Sequence, residues 1–234
     1  MLGSAGGPRH AAPLIAGRTF VMVNGDTLTN FALAPLLEAH ARSGADVTMA
    51  VVPNTDPERY NGIRANAAGV VSGFVPKGQA MGTWHFVGVQ VVEKALFDRL
   101  ADGVPAETVA GLYRDIVATE PGRIRVHRVE GEFIDVGTPA DYLQTCLTLA
   151  SVGEMNATTE RHLPGAHVDR VRRTVVWHEA TVPASASLTR AIVAGRVVVP
   201  DNFSATDAIV VPAAVARPGD QAMVQDGLAI FPLH

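Results

Sequence analysis

The sequence predicts an α/β sheet covered by helices over residues 1–150, joined through residues 151–170 to a small β-solenoid over residues 171–234. Two observations carry this prediction. Strand-like apolar runs alternate with helical patterns in the first part, and segments that recur every 17 residues fill the last. A third points towards function. The apolar run Phe20-Val21-Met22-Val23 ends on Asn24-Gly25-Asp26, so a carboxylate stands just beyond a strand's carboxyl end, where open α/β sheets hold their ligands.

The elements follow in order from local signals. Thr29 or Asn30 can cap a helix whose apolar residues Phe31, Leu33, Leu36 and Leu37 share a face, and Gly44 suits its end. A strand from Asp46 to Val52 stops at Pro53, which has no N–H for a ladder. Ile63 to Val75 reads as two strands around an Ala68-Gly69 turn, and Thr83 to Val92 as a strand leading into a helix from Glu93 to Leu100. A helix from Glu107 to Thr119 and a strand from Arg123 to Val129 come next. A short strand then ends at Asp135 and Gly137 turns the chain. Thr138, Pro139 and Asp141 fit the N-cap, first and third positions of a helix carrying Tyr142, Leu143, Cys146 and Leu147.

The repeat is explicit. Thr174-Val175-Val176, Ala191-Ile192-Val193 and Ala208-Ile209-Val210 recur at intervals of 17, as do Val182-Pro183 and Val199-Pro200. Val176, Val182 and Leu188 are spaced by six. Such β-branched segments suit a solenoid of about three coils, each burying its apolar residues against the next: a packing module, and a route to a homo-oligomer.

Composition excludes several function classes. With 47% hydrophobic and 18% charged residues and a mean hydropathy of +0.18, the chain fits a soluble globular protein with one sizeable core and an appendage. A net charge of -4 and a pI near 6.0 leave no basic footprint for a nucleic acid or an anionic membrane. The single cysteine, Cys146, rules out a disulfide framework within one chain and fits a reducing cytoplasm. No apolar run approaches the roughly 20 residues that span a bilayer, and the first ten residues lack the pattern of a signal peptide.

Taken alone, Asn24-Gly25-Asp26 makes a turn, since all three residues are turn formers. It equally suits a hard cation such as magnesium, which takes one or two protein carboxylates and completes its shell with phosphate and water. Asp135 is the second acid of this kind. The helix cap accounts for Thr138 and Asp141 and leaves Asp135 without a structural task.

Six segments resemble one family in order and approximate spacing. They are Leu2-Gly3-Ser4-Ala5-Gly6, Val23-Asn24-Gly25-Asp26, Arg59-Tyr60-Asn61-Gly62, Gly73-Phe74-Val75-Pro76-Lys77, Phe86-Val87-Gly88-Val89-Gln90 and Asp135-Val136-Gly137-Thr138-Pro139-Ala140-Asp141-Tyr142. The family is the sugar-1-phosphate nucleotidyltransferases, which includes mannose-1-phosphate guanylyltransferases. The resemblance implies a Rossmann-like nucleotidyltransferase sheet followed by a short left-handed β-helix. It implies transfer of a nucleotidyl group from an NTP, GTP favoured, to a sugar 1-phosphate. It also implies that Asp26 and Asp135 hold Mg2+, that Lys77 contacts the sugar phosphate, and that Leu2, Gly3, Ser4, Ala5 and Gly6 lie against base and ribose. By the same resemblance Gly25, Gly62 and Gly88 would belong to the substrate pocket. Arg9 and His10 fit a solvated helix start, and Trp84 and His85 fit packing.

The family pattern also has parts with no counterpart here. Its first strand leads into a glycine-rich G-x-G-T-R loop that cradles the triphosphate, and that loop is absent before Met1-Leu2-Gly3. Pro76 stands where a glutamate is usual, and Val87 where a threonine is common. The sheet is therefore expected to lack its first strands and to expose an edge beside Phe20 to Val23. Two functions follow: a nucleotidyltransferase whose chain is inactive alone, or a non-catalytic nucleotide-sugar-binding or regulatory subunit. A pyrophosphate-release assay with GTP and mannose 1-phosphate should detect little or no turnover by the 234 residues alone. Robust turnover would refute the need for that loop.

Overall fold

The computed structural model describes residues 1–151 and 170–233. The chain divides into two compact units, Met1–Asp135 and Val136–His234. The join expected over 151–170 falls almost wholly outside the described residues.

The first unit runs α1 (Gly3–Ala11), β1 (Thr19–Val23), β2 (Thr27–Thr29), α2 (Leu33–Ser43), β3 (Val47–Pro53), β4 (Gly62–Ala65), β5 (Val71–Val75), β6 (Trp84–Glu93), α3 (Tyr113–Thr119), β7 (Ile124–Arg128) and β8 (Phe133–Asp135). The main sheet has the order β5-β4-β6-β3-β7, with β1 paired antiparallel to the Val89–Glu93 half of β6. It is a mixed sheet in which β3 and β7 run parallel and the other ladders antiparallel. Among the described residues β1 bonds β6 alone, and Val23 at its end is 63% exposed.

Period-two alternation explains how both faces are covered. Val47, Met49 and Val51 of β3 pack with Tyr113, Ile116 and Phe97 on one side, while Ala50 packs with Leu36 of α2 and Val89 and Val91 of β6 on the other. Full burial of Leu36 contributes about 2 kcal/mol. Three local expectations are corrected. Thr29 and Asn30 do not cap α2, which starts after Ala32 without a side-chain cap. Thr29 Oγ1 instead donates to the Glu132 carbonyl at 2.9 Å, and Asn30 Oδ1 accepts from the Glu132 N–H at 2.7 Å, because these side chains fasten β2 to β8. Leu33 and Leu37 lie at the exposed rim of α2. The helix expected from Glu93 is a 3-10 helix, Lys94–Arg99, and the one expected from Glu107 begins with a π-helical stretch, Thr108–Leu112, before α3.

The second unit contains α4 (Pro139–Ser151), β9 (Val171–Arg172), β10 (Val175–Val176), β11 (Ser187–Val193), β12 (Ser204–Pro212), β13 (Met223–Gln225) and β14 (Leu228–Pro232). Thr138 caps α4 as expected. Its Oγ1 accepts from the Asp141 N–H at 3.1 Å and donates to the Asp141 carboxylate at 2.8 Å. Leu143 of α4 packs against Ile192 and Leu233.

The 17-residue repeat becomes register. Ala191, Ile192 and Val193 stack in parallel on Ala208, Ile209 and Val210, while Val175 and Val176 stack on Ile192 and Val193. Arg173, Arg190 and Asp207, also 17 apart, each adopt positive φ of 48–50°, so the chain turns at the same point in three successive rungs. The expected solenoid is corrected, however: β14 returns antiparallel on β12, β13 antiparallel on β14, and no closed solenoid forms among the described residues. None of the described helices is long and apolar enough to cross a membrane.

An ionic cluster closes one end of the main sheet. The Glu93 carboxylate at the end of β6 accepts from Thr19 Oγ1, from Arg18 Nε at 3.0 Å and from the buried His40 at 3.3 Å, whose other ring nitrogen pairs with Thr48 Oγ1 at 2.9 Å. Burial alone would raise the Glu93 carboxyl. The hydrogen bonds from Thr19 and His40 and the Arg18 charge outweigh it and hold the group below its ordinary 4.5. A lowered carboxyl stabilises the fold above its unfolded value, and that stability is lost as pH falls through the folded value. Glu93→Gln should therefore flatten the fall of Tm with acid below pH 4.5, as read by calorimetry across a pH series.

Candidate functional site

The site grows from a bulge in β6. Met49 pairs with Gln90 and Val51 with Phe86, so β6 carries extra residues around Gly88. Gly88 has φ +77°, and a Cβ there would stand 2.5 Å from Thr27 Oγ1 and 3.0 Å from Asn24 Cβ. Only glycine meets both demands. Its carbonyl accepts from the Asn24 N–H at 2.8 Å, which fixes the turn after β1 and sends the chain into β2.

That turn determines where Asp26 stands relative to Asp135. Thr27 lies opposite Asp135 in the antiparallel β2–β8 ladder, so Asp26, one residue earlier, stands at the same end of the ladder as Asp135. The backbones of two residues 109 apart in sequence are thus brought to one end of one ladder. Asp26 is exposed and Asp135 half-buried. The described residues hold no group of three or more metal-ligating His, Cys, Asp or Glu side chains. Two carboxylates, one exposed and one half-buried, are oxygen donors of the kind a hard cation takes when phosphate and water complete its shell.

A cavity of about 830 Å³ lies in the same unit. Asn24, the Arg59–Gly62 segment and Pro76 form part of its wall, with Ser4, Glu107 and Arg114 contributing elsewhere. Gly62 is a wall residue, and a Cβ on it would stand 2.0 Å from Thr83 Oγ1, so glycine lets the wall close on Thr83. Lys77 is exposed on the turn after β5, where its N–H donates to the Asn61 side chain at 2.9 Å. Asp26, Gly25, Asp135, Lys77 and Gly88 are not among the residues lining this cavity.

The Leu2–Gly6 segment forms the start of α1 and is clamped to the loop before the π-helical stretch. Ala5 and Gly6 donate to the Ala106 carbonyl at 2.9 and 3.1 Å, and Ala106 donates to the Leu2 carbonyl at 2.9 Å. Gly3 and Gly6 are small because Ala106 and Val104 carbonyls press on them: added Cβ atoms would meet these at 2.5 and 2.6 Å. Ala5 is fully buried, whereas Ser4 lines the cavity. The Ser4 hydroxyl and N–H both engage Glu107 Oε2, and these two hydrogen bonds hold the Glu107 carboxyl below its usual range. Arg9 and His10 pair with Asp98 and Asp102 across to the 3-10 segment and its turn.

His85 packs as expected and also reaches the cavity. Its ring lies 4.2 Å from that of Tyr60 and 5.0 Å from that of Phe133. Burial lowers the imidazole, against smaller upward pulls from the Asn61 backbone and Asp135, so the ring is neutral near pH 7. Sequence reasoning missed three cavity residues: Arg59, Glu107 and Arg114. Arg59 sits in a quoted motif, with its guanidinium 5.0 Å over the Tyr60 ring, and that motif was the available signal. Glu107 and Arg114 carry no signal beyond a helical pattern.

Residues 2–151 match a family model described as nucleotidyl transferase. Mannose-1-phosphate guanylyltransferase of Mycobacterium tuberculosis is 27% identical over 144 residues, 61% of this chain and 40% of its own length. Mannose-1-phosphate guanyltransferase of Aspergillus oryzae is 26% identical over 166 residues, 67% and 44% respectively. The chain thus spans less than half the length of these relatives. The solved structure of HddC from Yersinia pseudotuberculosis complexed with GMP-PN shares the fold at 21% identity and a TM-score of 0.53, covering 63% of each chain.

Gly88→Ala tests the bulge. Positive φ and the Thr27 contact together should cost about 1–3 kcal/mol, read as a lower midpoint in urea unfolding. Unchanged stability would remove Gly88 as the organiser of the Asn24–Thr27 turn.

Proposed function

The chain belongs to the nucleotidyl transferase family, and from that membership we propose that it supplies the acidic, sugar-side part of a site that moves a nucleotidyl group from an NTP to a sugar 1-phosphate, releasing pyrophosphate. The names of its relatives favour GTP and mannose 1-phosphate as the pair. The observation that carries the reading is the β2–β8 ladder, which sets Asp26 beside the strand that ends at Asp135.

The attacking oxygen belongs to a phosphate that is already anionic near neutral pH, so no general base is required. Catalysis then rests on in-line positioning and on neutralising charge at the α-phosphate. Asp26 and Asp135 would hold Mg2+, which supplies that neutralisation when bound. Lys77, exposed on its turn, would contact the sugar phosphate. The cavity walled by Gly62, Asn24 and Asn61 would hold the sugar ring, with Asn61 also fixing the Lys77 backbone.

Manganese in place of magnesium tests the assignment without turnover. Mn2+ bound by the wild-type chain should broaden the 31P signal of added mannose 1-phosphate, and Asp26→Asn or Asp135→Asn should each weaken that effect at least about tenfold, since a metal loses a charged ligand. In a protein with turnover the same changes should cost several kcal/mol in kcat/KM. Full broadening in both variants would remove the two acids from the metal site.

A further inference from the structure

A polar residue interrupts the apolar run of β6 where that strand lines the cavity. Gln90 stands between Val89 and Val91, opposite Met22 of β1 and Met49 of β3, and is only 3% exposed. Its carboxamide meets the hydroxyl of the fully buried Tyr113 at 2.9 Å. Burial pushes the Tyr113 phenol above its ordinary value, so it keeps its proton. The phenol has no other acceptor among the described residues, and that proton goes to Gln90 Oε1. The bond fixes which way the amide faces. Its oxygen turns to Tyr113 and its NH2 group turns away.

Gln90 lines the cavity and Tyr113 does not, so the amide has the core on one side and the open space on the other. Its Nε2 makes no hydrogen bond to any described residue, yet it is not sealed off. Apolar residues share the lining, Met22, Ile63, Phe74 and Phe86 among them. A buried donor in such surroundings is costly unless something accepts from it. Apolar side chains of the same shape at both positions would pack with no donor to satisfy, so packing alone gives no reason for the pair. We propose that Gln90 is a specificity-determining residue, its Nε2 aimed by Tyr113 to donate to one hydroxyl of the sugar seated in the cavity. The proposal rests on the nucleotidyl-transfer reading and refines how the sugar is recognised. A neutral donor suits a hydroxyl, and the groups expected to handle phosphate, Asp26, Asp135 and Lys77, do not line this cavity. Selectivity follows because a sugar lacking that hydroxyl leaves the buried donor unpaired. Tyr113 is a positioning residue, since without its hydroxyl the carboxamide is free to turn over.

The test measures binding of mannose 1-phosphate and its 2-, 3-, 4- and 6-deoxy analogues to the full chain by calorimetry. Wild-type protein should bind at least one analogue about tenfold more weakly than the parent through loss of this bond. Gln90→Met combined with Tyr113→Phe leaves neither group orphaned. In that protein the parent should bind about tenfold more weakly and the same analogue should lose nothing further, so selectivity at that position vanishes. Tyr113→Phe alone should lower selectivity there by about threefold and leave the other positions unchanged. Urea unfolding confirms that each variant is folded, and Gln90→Met alone serves if the double variant is not. Selectivity that is the same in wild type and variants at every position would overturn the proposal and leave the nucleotidyl-transfer reading standing. So would equal losses on the parent and all analogues, or weaker binding of GTP with unchanged binding of the sugar phosphates, which would assign Gln90 to the base. A wild-type chain that binds neither mannose 1-phosphate nor any analogue would overturn both this proposal and the nucleotidyl-transfer reading.

Discussion

The arrangement of the first unit depends on one close approach, the β6 backbone at Gly88 against Asn24 and Thr27. A strand that stayed regular there would continue past β1 at ordinary ladder spacing. Instead the left-handed Gly88 bends β6, and its carbonyl captures the Asn24 N–H. The chain therefore leaves the main sheet immediately after β1 and forms β2, which pairs with β8 and not with the sheet. The position of Asp26 one residue before the Thr27–Asp135 pair follows from that departure. A bulge in one strand thus decides where the turn that carries Asp26 stands relative to β8.

The two ends of β6 have divided tasks. Its final residue, Glu93, is held by Thr19, Arg18 and His40, which tie together the starts of β1 and β3 and the end of α2. Every charge there has a partner. Beyond the bulged end Asp26 and Lys77 are exposed and Asp135 is half-buried. Paired charges at one end stabilise the sheet. Exposed charges at the other contribute little to stability, as expected of surface ions, and are available for binding.

Legibility in the sequence followed the range of the physical signal. Period-two runs located the strands from β3 to β7 within a residue or two, because alternation is a local property. The Thr138 cap and the 17-residue register were legible for the same reason: a cap spans one turn, and a repeat stacks identical residues. Closure of the repeat was not legible. Whether Leu228–Pro232 continues the parallel stack or turns back depends on the loop after residue 212, which lies outside the repeat. Thr29 and Asn30 misled because a cap and a cross-strand tie use the same side chains, and only the position of Glu132 decides between them.

The candidate site was legible where its residues sat on motifs. Asp26 and Asp135 stood out as acids following apolar runs, and the short β2–β8 ladder sets their backbones at one end of it. The small residues of Leu2–Gly6 were legible as a place of close approach, but the neighbour that presses on Gly3 and Gly6 is the protein's own loop at Val104 and Ala106. Arg114 is the opposite case. In sequence it is one arginine in a helical run, and only the packing of the preceding Tyr113, whose buried hydroxyl donates to Gln90, fixes the turn that brings it to the cavity wall. Such a placement rests on a contact between residues 23 apart, so no local pattern announces it.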